Sequence, residues 1–229
     1  MTTLVPIRPK ILSCRTIDRV DVHLAQSMGF DLKRHVSAAL ITSDQDDSLY
    51  AALDEATKHA EVDVVYAKSF YGGAAHASGP LSGEVLGVLA GPNPDEVAEA
   101  VWALRSALEK SICFYSLAGT SAPAFFPHVI SEVGRYLAPL AAISVGSSMA
   151  YFIAPPCEAL VGLDAALKAS NVTLKKFFGP PTETNFAGGY LSGELHDVEA
   201  ARAAFVDAIA EVVASPLGGM RRPSRERAR

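Results

Sequence analysis

The chain has 229 residues, enough for one large domain or for two of about 110 residues, and 49% of them are apolar. Its formal net charge is −5, although the last twelve residues carry five arginines and one glutamate, so the acidic excess lies in the preceding part. An acidic body without a basic, aromatic-rich face argues against nucleic-acid binding. The basic end, residues 218–229, is predicted to be a disordered tail. The apolar surplus predicts subunit interfaces, the alternative being a tightly packed, alanine-rich monomer.

The sequence predicts no cofactor site, no metal site and no membrane-spanning segment. Cys14, Cys113 and Cys157 are widely spaced and form no CxxC pair, so neither a disulfide framework nor a zinc site is predicted. The N-terminus lacks the charged and apolar segments of a signal peptide. The most apolar window, residues 136–153, is interrupted by proline, glycine and serine. It is therefore predicted to be a helix end, a turn and a buried strand rather than a membrane span.

In chain order, the first half predicts a strand, a helix, two strands and a second helix. The apolar run HVSAALITS is typical of a strand, and Asp54 is suited to cap a short helix after it. On either side of a Gly-rich loop, β-branched content favours strands in AEVDVVYAKSF and LSGEVLGVLAG. The segment from Asn93 to Lys110 is predicted to be a helix with one apolar face, which Asn93 caps and Pro94 starts.

The second half repeats this order. The tetrapeptide LSGE at residues 81–84 recurs 110 residues later at 191–194, and the segment at Asp54 matches the one at Asp164, also predicted to be a helix N-cap. The sequence therefore predicts a tandem duplication of a unit of about 110 residues, with LSGE at the same strand end in each copy. Interleaved strands and helices in so short a unit favour an α/β layer, with helices packed on one face of a small antiparallel sheet.

Local catalytic signatures are missing. No nucleotide-binding, hydrolase or zinc-protease motif occurs, and no two histidines are spaced i, i+4. The densest acidic cluster, residues 44–47, opens like a calcium loop, but Leu49 stands where that loop needs glycine. Two alternatives remain for the cluster. It is either a solvated turn between strand and helix, or a site where carboxylates bind a small cation through charge-assisted hydrogen bonds.

Two loops occupy matching places in the two halves. The loop Ser69–His76 has four consecutive tiny residues before a histidine, which is typical of a mobile loop and also of a gate. Its counterpart, residues 179–185, contains two prolines and is predicted to be stiffer. A pH-sensitive gate at His76 is a further hypothesis, because histidine titrates near neutral pH.

A resemblance to a known family extends from Ile7 to about Pro216. The L-type shell proteins of ethanolamine-utilisation microcompartments are similar to this chain in the segments SDQDDSLYAALDEATKHAEVDVVYAKSFYGGAAHA, GEVLGVLAGPNPDE, MAYFIAPPCEAL, GLDAALKASNV and PPTETNFAGGYLSG. The resemblance implies two circularly permuted shell domains, residues 1–115 and 116–217, each a ferredoxin-like antiparallel sheet with helices. It also implies a non-enzymatic homotrimer, a flat pseudohexagon that tiles with other shell proteins around enzymes in a microcompartment in the bacterial cytoplasm.

The resemblance further implies two sets of functional residues. The central pore of the family is lined by loops that open or close, and the corresponding residues here are Phe70, Tyr71, Gly72, Gly73, Ala74, Ala75, His76, Thr182 and Glu183. The family binds ethanolamine between its two domains, and the matching residues here are Asp46, Glu84, Phe114 and Thr184. The two carboxylates would hold the ammonium group, the ring would offer its face, and the threonine would bond the hydroxyl. A compartment for another substrate, such as propanediol, and an enzyme with two similar halves remain alternatives.

Overall fold

The computed structural model of the chain describes residues 3–70, 79–119, 123–180, 182 and 185–218. In these ranges the elements are, in order, β1 (Leu4–Ile7), β2 (Ile11–Ile17), α1 (Val22–Ser27), β3 (Ser37–Ser43), α2 (Asp46–His59), β4 (Asp63–Ser69), β5 (Val85–Gly91), α3 (Pro94–Lys110), β6 (Phe114–Leu117), β7 (Phe126–Ile130), α4 (Leu137–Leu140), β8 (Met149–Ala154), α5 (Pro156–Ala169), β9 (Thr173–Phe178), β10 (Ala187–Ser192) and α6 (Leu195–Ala214).

Two four-stranded antiparallel sheets of the same design organise the chain. The strand order is β2-β3-β5-β4 in the first repeat and β7-β8-β10-β9 in the second. Helices α2 and α3 pack with the first sheet, and α5 and α6 pack with the second. Strands β1 and β6 form a separate ribbon in which Ile7 lies opposite Phe114. The predicted α/β fold, a repeated antiparallel sheet with helices, is confirmed.

The two LSGE tetrapeptides are not equivalent, and the prediction that they mark the same strand end is wrong. Residues 81–84 precede β5, whereas residues 191–194 span the end of β10 and lead into α6. The strand register gives the true correspondence, because Leu191 pairs with β8 as Leu89 pairs with β3. The connection from β4 to β5 is longer than the one from β9 to β10, so no single offset holds along the whole unit.

The offset of 110 residues does hold from α2 to β4, which match α5 and β9. Asp54 and Asp164 are therefore equivalent, but both lie inside their helices, and the prediction that they are N-caps is wrong. Helix α2 begins earlier, at Asp46, where negative side chains are favourable at the positive end of the helix dipole. The prediction for α3 is confirmed, because Asn93 caps it by accepting the Glu96 N–H at 2.9 Å.

Apolar packing joins the two repeats. One core cluster contains Leu49 and Leu53 of α2 together with Tyr151 of β8. A second cluster lies between the second sheet and its own helices, where Phe152 stacks on Phe205 with ring centroids 4.5 Å apart. Because successive residues of a strand point to opposite faces, the second sheet is covered on both sides. Its outer layer on one side is thus supplied by the first repeat.

A polar clamp strengthens this junction. Asp54 is only 1% exposed. It accepts hydrogen bonds from three backbone N–H groups at the start of α4, those of Gly134 (2.6 Å), Tyr136 (3.1 Å) and Leu137 (2.8 Å). A Cβ added at Gly134 would lie 2.5 Å from the Asp54 carbonyl oxygen, so this close approach requires glycine. A carboxylate of the first repeat thereby caps a helix of the second.

Helix α1 takes the place in the first repeat that α4 takes in the second, but it is capped differently. Its own N-cap residue, Asp21, accepts hydrogen bonds from the His23 N–H (2.9 Å) and the Leu24 N–H (3.4 Å). The N-terminus of α1 therefore needs no carboxylate from another repeat. The two equivalent helix starts thus differ in where their caps come from.

The most apolar window of the sequence has the structure that was predicted for it. Residues 136–153 form α4, a turn and the buried strand β8. Within the described ranges no helix combines the length and the apolar character that a bilayer crossing needs. The three cysteines carry free thiols, with Cys113 buried, Cys14 half-buried and Cys157 exposed.

Candidate ligand-binding site

A cavity of about 170 Å³ lies where the N-terminus of α2 meets the second sheet. It admits a molecule of a few non-hydrogen atoms, since a water in the liquid occupies about 30 Å³. Its lining comes from both repeats and comprises Asp46, Asp47, Tyr50, Tyr136, Leu140, Tyr151, Ile153, Lys176, Phe178, Thr182 and Tyr190. Two carboxylates and four tyrosines converge here. Apolar and aromatic side chains with a few charged groups, here the two carboxylates and the ammonium group of Lys176, are typical of a small-molecule site.

The two carboxylates are positioned by the start of α2. Asp47 accepts a hydrogen bond from the Tyr151 hydroxyl of the other repeat. Asp46 accepts one through Oδ1 from the Asp47 N–H at 2.8 Å. Both side chains are buried, and the positive end of the helix dipole offsets part of the cost of burying them. The junction between the repeats therefore holds negative charge beside an aromatic wall.

The aromatic wall is neutral. Tyr151 and Tyr190 face each other across β8 and β10 with ring centroids 4.7 Å apart, and Phe178 lies 4.9 Å from Tyr190. Burial, followed by the nearby Asp47 charge, raises the pKa of Tyr151 well above its usual value. Burial likewise raises the pKa of Tyr136 to about 12. The phenols therefore keep their protons near neutral pH and offer ring faces and O–H donors.

Glu84 lies on the first repeat close to the same carboxylates. Its N–H donates to the Ser43 carbonyl at 2.8 Å, and its carbonyl accepts the Phe70 N–H at 3.0 Å. These bonds hold it beside the strand that leads into the acidic cluster. Partial burial, and then the charges of Asp46 and Asp44, raise the pKa of Glu84. Glu84 therefore lies within electrostatic range of Asp46, although it is not among the residues that line the cavity.

Phe114 belongs to the core next to the cavity rather than to its lining. Its ring packs against Phe126 at 5.0 Å and against Phe186 at 6.2 Å between centroids. Its strand partner Ile7 accepts a hydrogen bond from the Gln45 side chain at 3.0 Å, just before Asp46. Phe114 therefore belongs to the β1–β6 ribbon, which is bonded to the residue just before α2.

The second loop reaches the cavity through Thr182. This residue lines the cavity, and its Oγ1 donates to the Phe186 carbonyl at 2.9 Å. Phe70, at the root of the first loop, is exposed. The other predicted loop and ligand residues lie outside the described residues: Tyr71, Gly72, Gly73, Ala74, Ala75, His76, Glu183 and Thr184.

The interpretation of the acidic cluster as a solvated turn is wrong. Residues 44–55 also do not form the twelve-residue loop of a calcium site, because α2 already begins at Asp46. A solvated turn requires exposed carboxylates, whereas Asp46 and Asp47 are buried. In the part of the chain that the structure describes, no three His, Cys, Asp or Glu side chains are grouped as metal ligands would be.

The sequence does not reveal the four tyrosines as a group, because they come from four separate segments. One usable signal exists. Tyr151 and Tyr190 sit in apolar strands, and a buried phenol generally needs a hydrogen-bond partner. Their partners, including Asp47, could have been sought among the acidic residues of the other repeat.

Known proteins match this chain both in sequence and in structure. The family model described as "BMC domain" matches residues 37–118. The bacterial microcompartment shell protein EutL of Clostridium perfringens (strain 13 / Type A) is 46% identical over 212 residues, 93% of this chain and 97% of the relative. That of Escherichia coli (strain K12) is 42% identical over 218 residues, 95% and 99% of the two chains. The crystal structure of EutL from Leptotrichia buccalis matches with a TM-score of 0.88 at 46% identity, and the match covers 93% of this chain and 98% of that one.

These identities extend over nearly the full length of both partners in each comparison. The fold of this chain matches that of the EutL structure from Leptotrichia buccalis, and that of a EutL structure from Clostridium perfringens with a TM-score of 0.89 over 93% of this chain. A protein with this likeness is part of the shell of a bacterial microcompartment. The chain belongs to the EutL family of bacterial microcompartment shell proteins.

Proposed function

We propose that the chain forms a homotrimeric shell tile, built from two domains at residues 1–115 and 116–217, with residues 218–229 as a tail. The tile has a gated central pore, joins other shell proteins and carries a pocket for a small amine between its domains. It would build the shell and let small molecules pass through the pore, and it would catalyse no reaction.

One observation carries the trimer: the same helix face is buried in the first repeat and exposed in the second. Helix α2 is buried at three positions that follow one helix face, Asp47, Ala51 and Asp54. The equivalent positions of α5, 110 residues later, are all exposed: Cys157, Val161 and Asp164. Val161 is 44% exposed although it is apolar. A surface of this kind on a repeat whose twin is covered favours a covering partner.

The surface that would receive α5 is also open. In the second repeat, residues 131–141 cover α2, and Leu137 is fully buried. The equivalent residues 18–28 of the first repeat include α1, where Leu24 is 46% exposed. Beside it the first sheet has an open apolar groove, whose lining includes Leu40, Leu81 and Leu86. These residues take the place that the α2 contact fills in the second repeat.

A donor surface on one repeat and a receiving surface on the other produce head-to-tail contact between copies. When that contact repeats the junction inside the chain, each copy occupies two of six places in a ring, and three copies close it. Sedimentation equilibrium should therefore give about 72 kDa, three times the 24.1 kDa chain. A mass of one chain across the concentration range would contradict the trimer.

The ligand proposal rests on the carboxylates and the aromatic wall. Asp46 and Glu84 supply negative charge to an ammonium group, and neutral tyrosine faces attract a cation through their quadrupoles. The relatives named for ethanolamine utilisation suggest ethanolamine as the amine. Thr184 as the partner of its hydroxyl, and Phe114 as an aromatic contact, remain predictions.

Replacing Asp46 with asparagine should weaken ethanolamine binding at least tenfold, the scale of one lost charge-assisted contact (about 1.5–3 kcal/mol). Titration calorimetry measures this change. Asp95→Asn, an exposed aspartate in the first turn of α3, is the matched control and should bind like the parent. Propanediol has no cation and should not bind; equal binding of the two compounds would favour a compartment for another substrate.

Binding should also weaken in mildly acidic solution because of Glu84. Its pKa is raised by burial and by the neighbouring aspartates. As the pH falls through that raised value the carboxylate gains a proton and no longer attracts an ammonium group. In the unliganded protein the sign is opposite, because ionisation of Glu84 costs stability as the pH rises through the same value. Glu84→Gln should bind weakly at every pH, and a parent-like pH profile in this variant would rule out Glu84.

The gate proposal concerns the loops Phe70–His76 and Thr182–Glu183. In a ring of six similar units, the connections β4–β5 and β9–β10 would alternate around the axis. A crystal structure of the trimer tests this arrangement. Loops lying far from the threefold axis would contradict the gate.

A further inference from the structure

A second groove, of about 460 Å³, lies on the other side of α2, between α2, α3 and the edge strand β7. Its volume falls in the range of small-molecule sites. It is lined by Ala51, Glu55, Lys58, His59, Trp102, Ala103, Ser106, Ala107, Lys110, Ser111, Ile112, His128, Val129, Ile130 and Ser131. We call it the Trp102 groove. It shares no residue with the cavity that holds Asp46.

Two lysines and one carboxylate, Glu55, line the groove, so its side chains carry an excess of positive charge, although both lysines also lie at the negative ends of their helix dipoles. Lys58 and Lys110 both line it, in a protein whose net charge is negative. Lys58 is paired with Glu55 and also donates to the Glu132 carbonyl at 3.1 Å. Lys110 has no ion-pair partner within the described residues. One ammonium group is therefore available, and a second is held nearby by a single carboxylate.

Neutral polar groups accompany the lysines. His128 lies on β7, where burial, then the charges of Lys58 and Arg202, lower its pKa to about 4. It is therefore uncharged at neutral pH and has both a donor and an acceptor nitrogen. Ser106 and Ser131 add hydroxyl groups, whereas the hydroxyl of Ser111 donates to the Ala107 carbonyl at 3.5 Å. A hydrogen-bonding ligand thus finds partners of both kinds.

An aromatic face completes the groove. Trp102 is 64% exposed on α3, although tryptophan is highly buried on average. Its indole borders the same space as Lys110, two helical turns further along α3. An exposed indole in the same groove as an ammonium group, about 12 Å along the helix, can stack on a planar ring while the charge holds an attached anionic group.

We propose that the Trp102 groove binds a small anion that carries a planar ring, with the anionic group at Lys110 and Lys58 and the ring against the indole. The groove stays open in the proposed trimer, because none of its residues belongs to the α5 face or to residues 18–28. The proposal therefore stands independently of the trimer and of the amine pocket.

Fluorescence titration of the full chain tests the proposal directly, because Trp102 is the only tryptophan. Adenosine 5′-monophosphate is the probe, excited at wavelengths where only the indole absorbs. We expect saturable quenching, at least tenfold weaker binding of adenosine, which lacks the phosphate, and displacement of the nucleotide by inorganic phosphate. Lys110→Met should weaken nucleotide binding about tenfold or more, since one charge-assisted hydrogen bond is lost.

The matched control is Lys33→Met, an exposed lysine outside the groove, which should bind like the parent. Equal affinity for nucleotide and adenosine would overturn the anion site. So would a Lys110→Met variant with unchanged affinity and a parent-like circular dichroism spectrum. Absence of saturable quenching, with no heat of binding in calorimetry, would overturn the proposal altogether.

Discussion

Replacing Asp54 with asparagine is expected to lower the free energy of unfolding by about 2–4 kcal/mol. The buried carboxylate accepts backbone hydrogen bonds from Gly134, Tyr136 and Leu137. An amide has only one oxygen, and its NH₂ group would direct a donor at a backbone N–H that is itself a donor. At least one N–H at the start of α4 would then be buried without a partner. Urea unfolding followed by circular dichroism measures the loss.

The duplication supplies the control. Asp164 is the equivalent residue of the second repeat, but its side chain is 63% exposed and pairs with Lys168 at 2.6 Å. An exposed pair at this spacing contributes only about 0.5 kcal/mol or less. Within one chain, Asp164→Asn should therefore cost much less than Asp54→Asn. A loss of only about 0.5 kcal/mol in Asp54→Asn as well would show that the junction between the repeats does not depend on Asp54.

Replacing Val161 with glutamate is expected to convert the trimer into single chains. The side chain is exposed in one copy but would be covered in each of three contacts, where an unpaired charge costs several kcal/mol. The fold of the chain should persist because this side chain is 44% exposed within one copy. Sedimentation velocity should show the fall to one third of the parent mass, with an unchanged circular dichroism spectrum.

Leu217→Glu is the matched control for this variant. Leu217 is also an exposed apolar residue, but it follows α6 and lies off the α5 face. The variant should remain trimeric. A trimeric Val161→Glu protein would remove α5 from the interface, and dissociation of both variants would point to a general loss of solubility instead.

Helices and strands could be predicted because their signals are local. The cap at Asn93, the apolar face that follows it and the buried run at β8 each specify one element. Register was harder. The repeated LSGE is a coincidence of four residues, and only pairing across strands reveals that Leu191 corresponds to Leu89. A match that short cannot report the different loop lengths between the strands.

The site could be predicted only in part. The resemblance pointed to Asp46, which lines the cavity, and to Glu84, which lies within electrostatic range of it but outside the lining. It could not show that Asp54 is buried while Asp164 is exposed, because helical periodicity does not tell which face another unit will cover. The tyrosines remained hidden for a similar reason. Tyr50 and Tyr190 meet only after the two repeats have packed.

The different caps of α1 and α4 are consistent with a difference in how long each surface is exposed to water before it is covered. Two units tethered in one polypeptide meet at high effective concentration, so α2 can carry a buried acid that would be costly to expose and dehydrate repeatedly. Helix α5 has no tethered neighbour for its outer face and must first exist in water. Its Asp164 is exposed and pairs with Lys168 of the same helix, and α1 has its own cap at Asp21. The contact of α2 forms once, when the chain folds, whereas the α5 face must remain stable in water until a second copy binds.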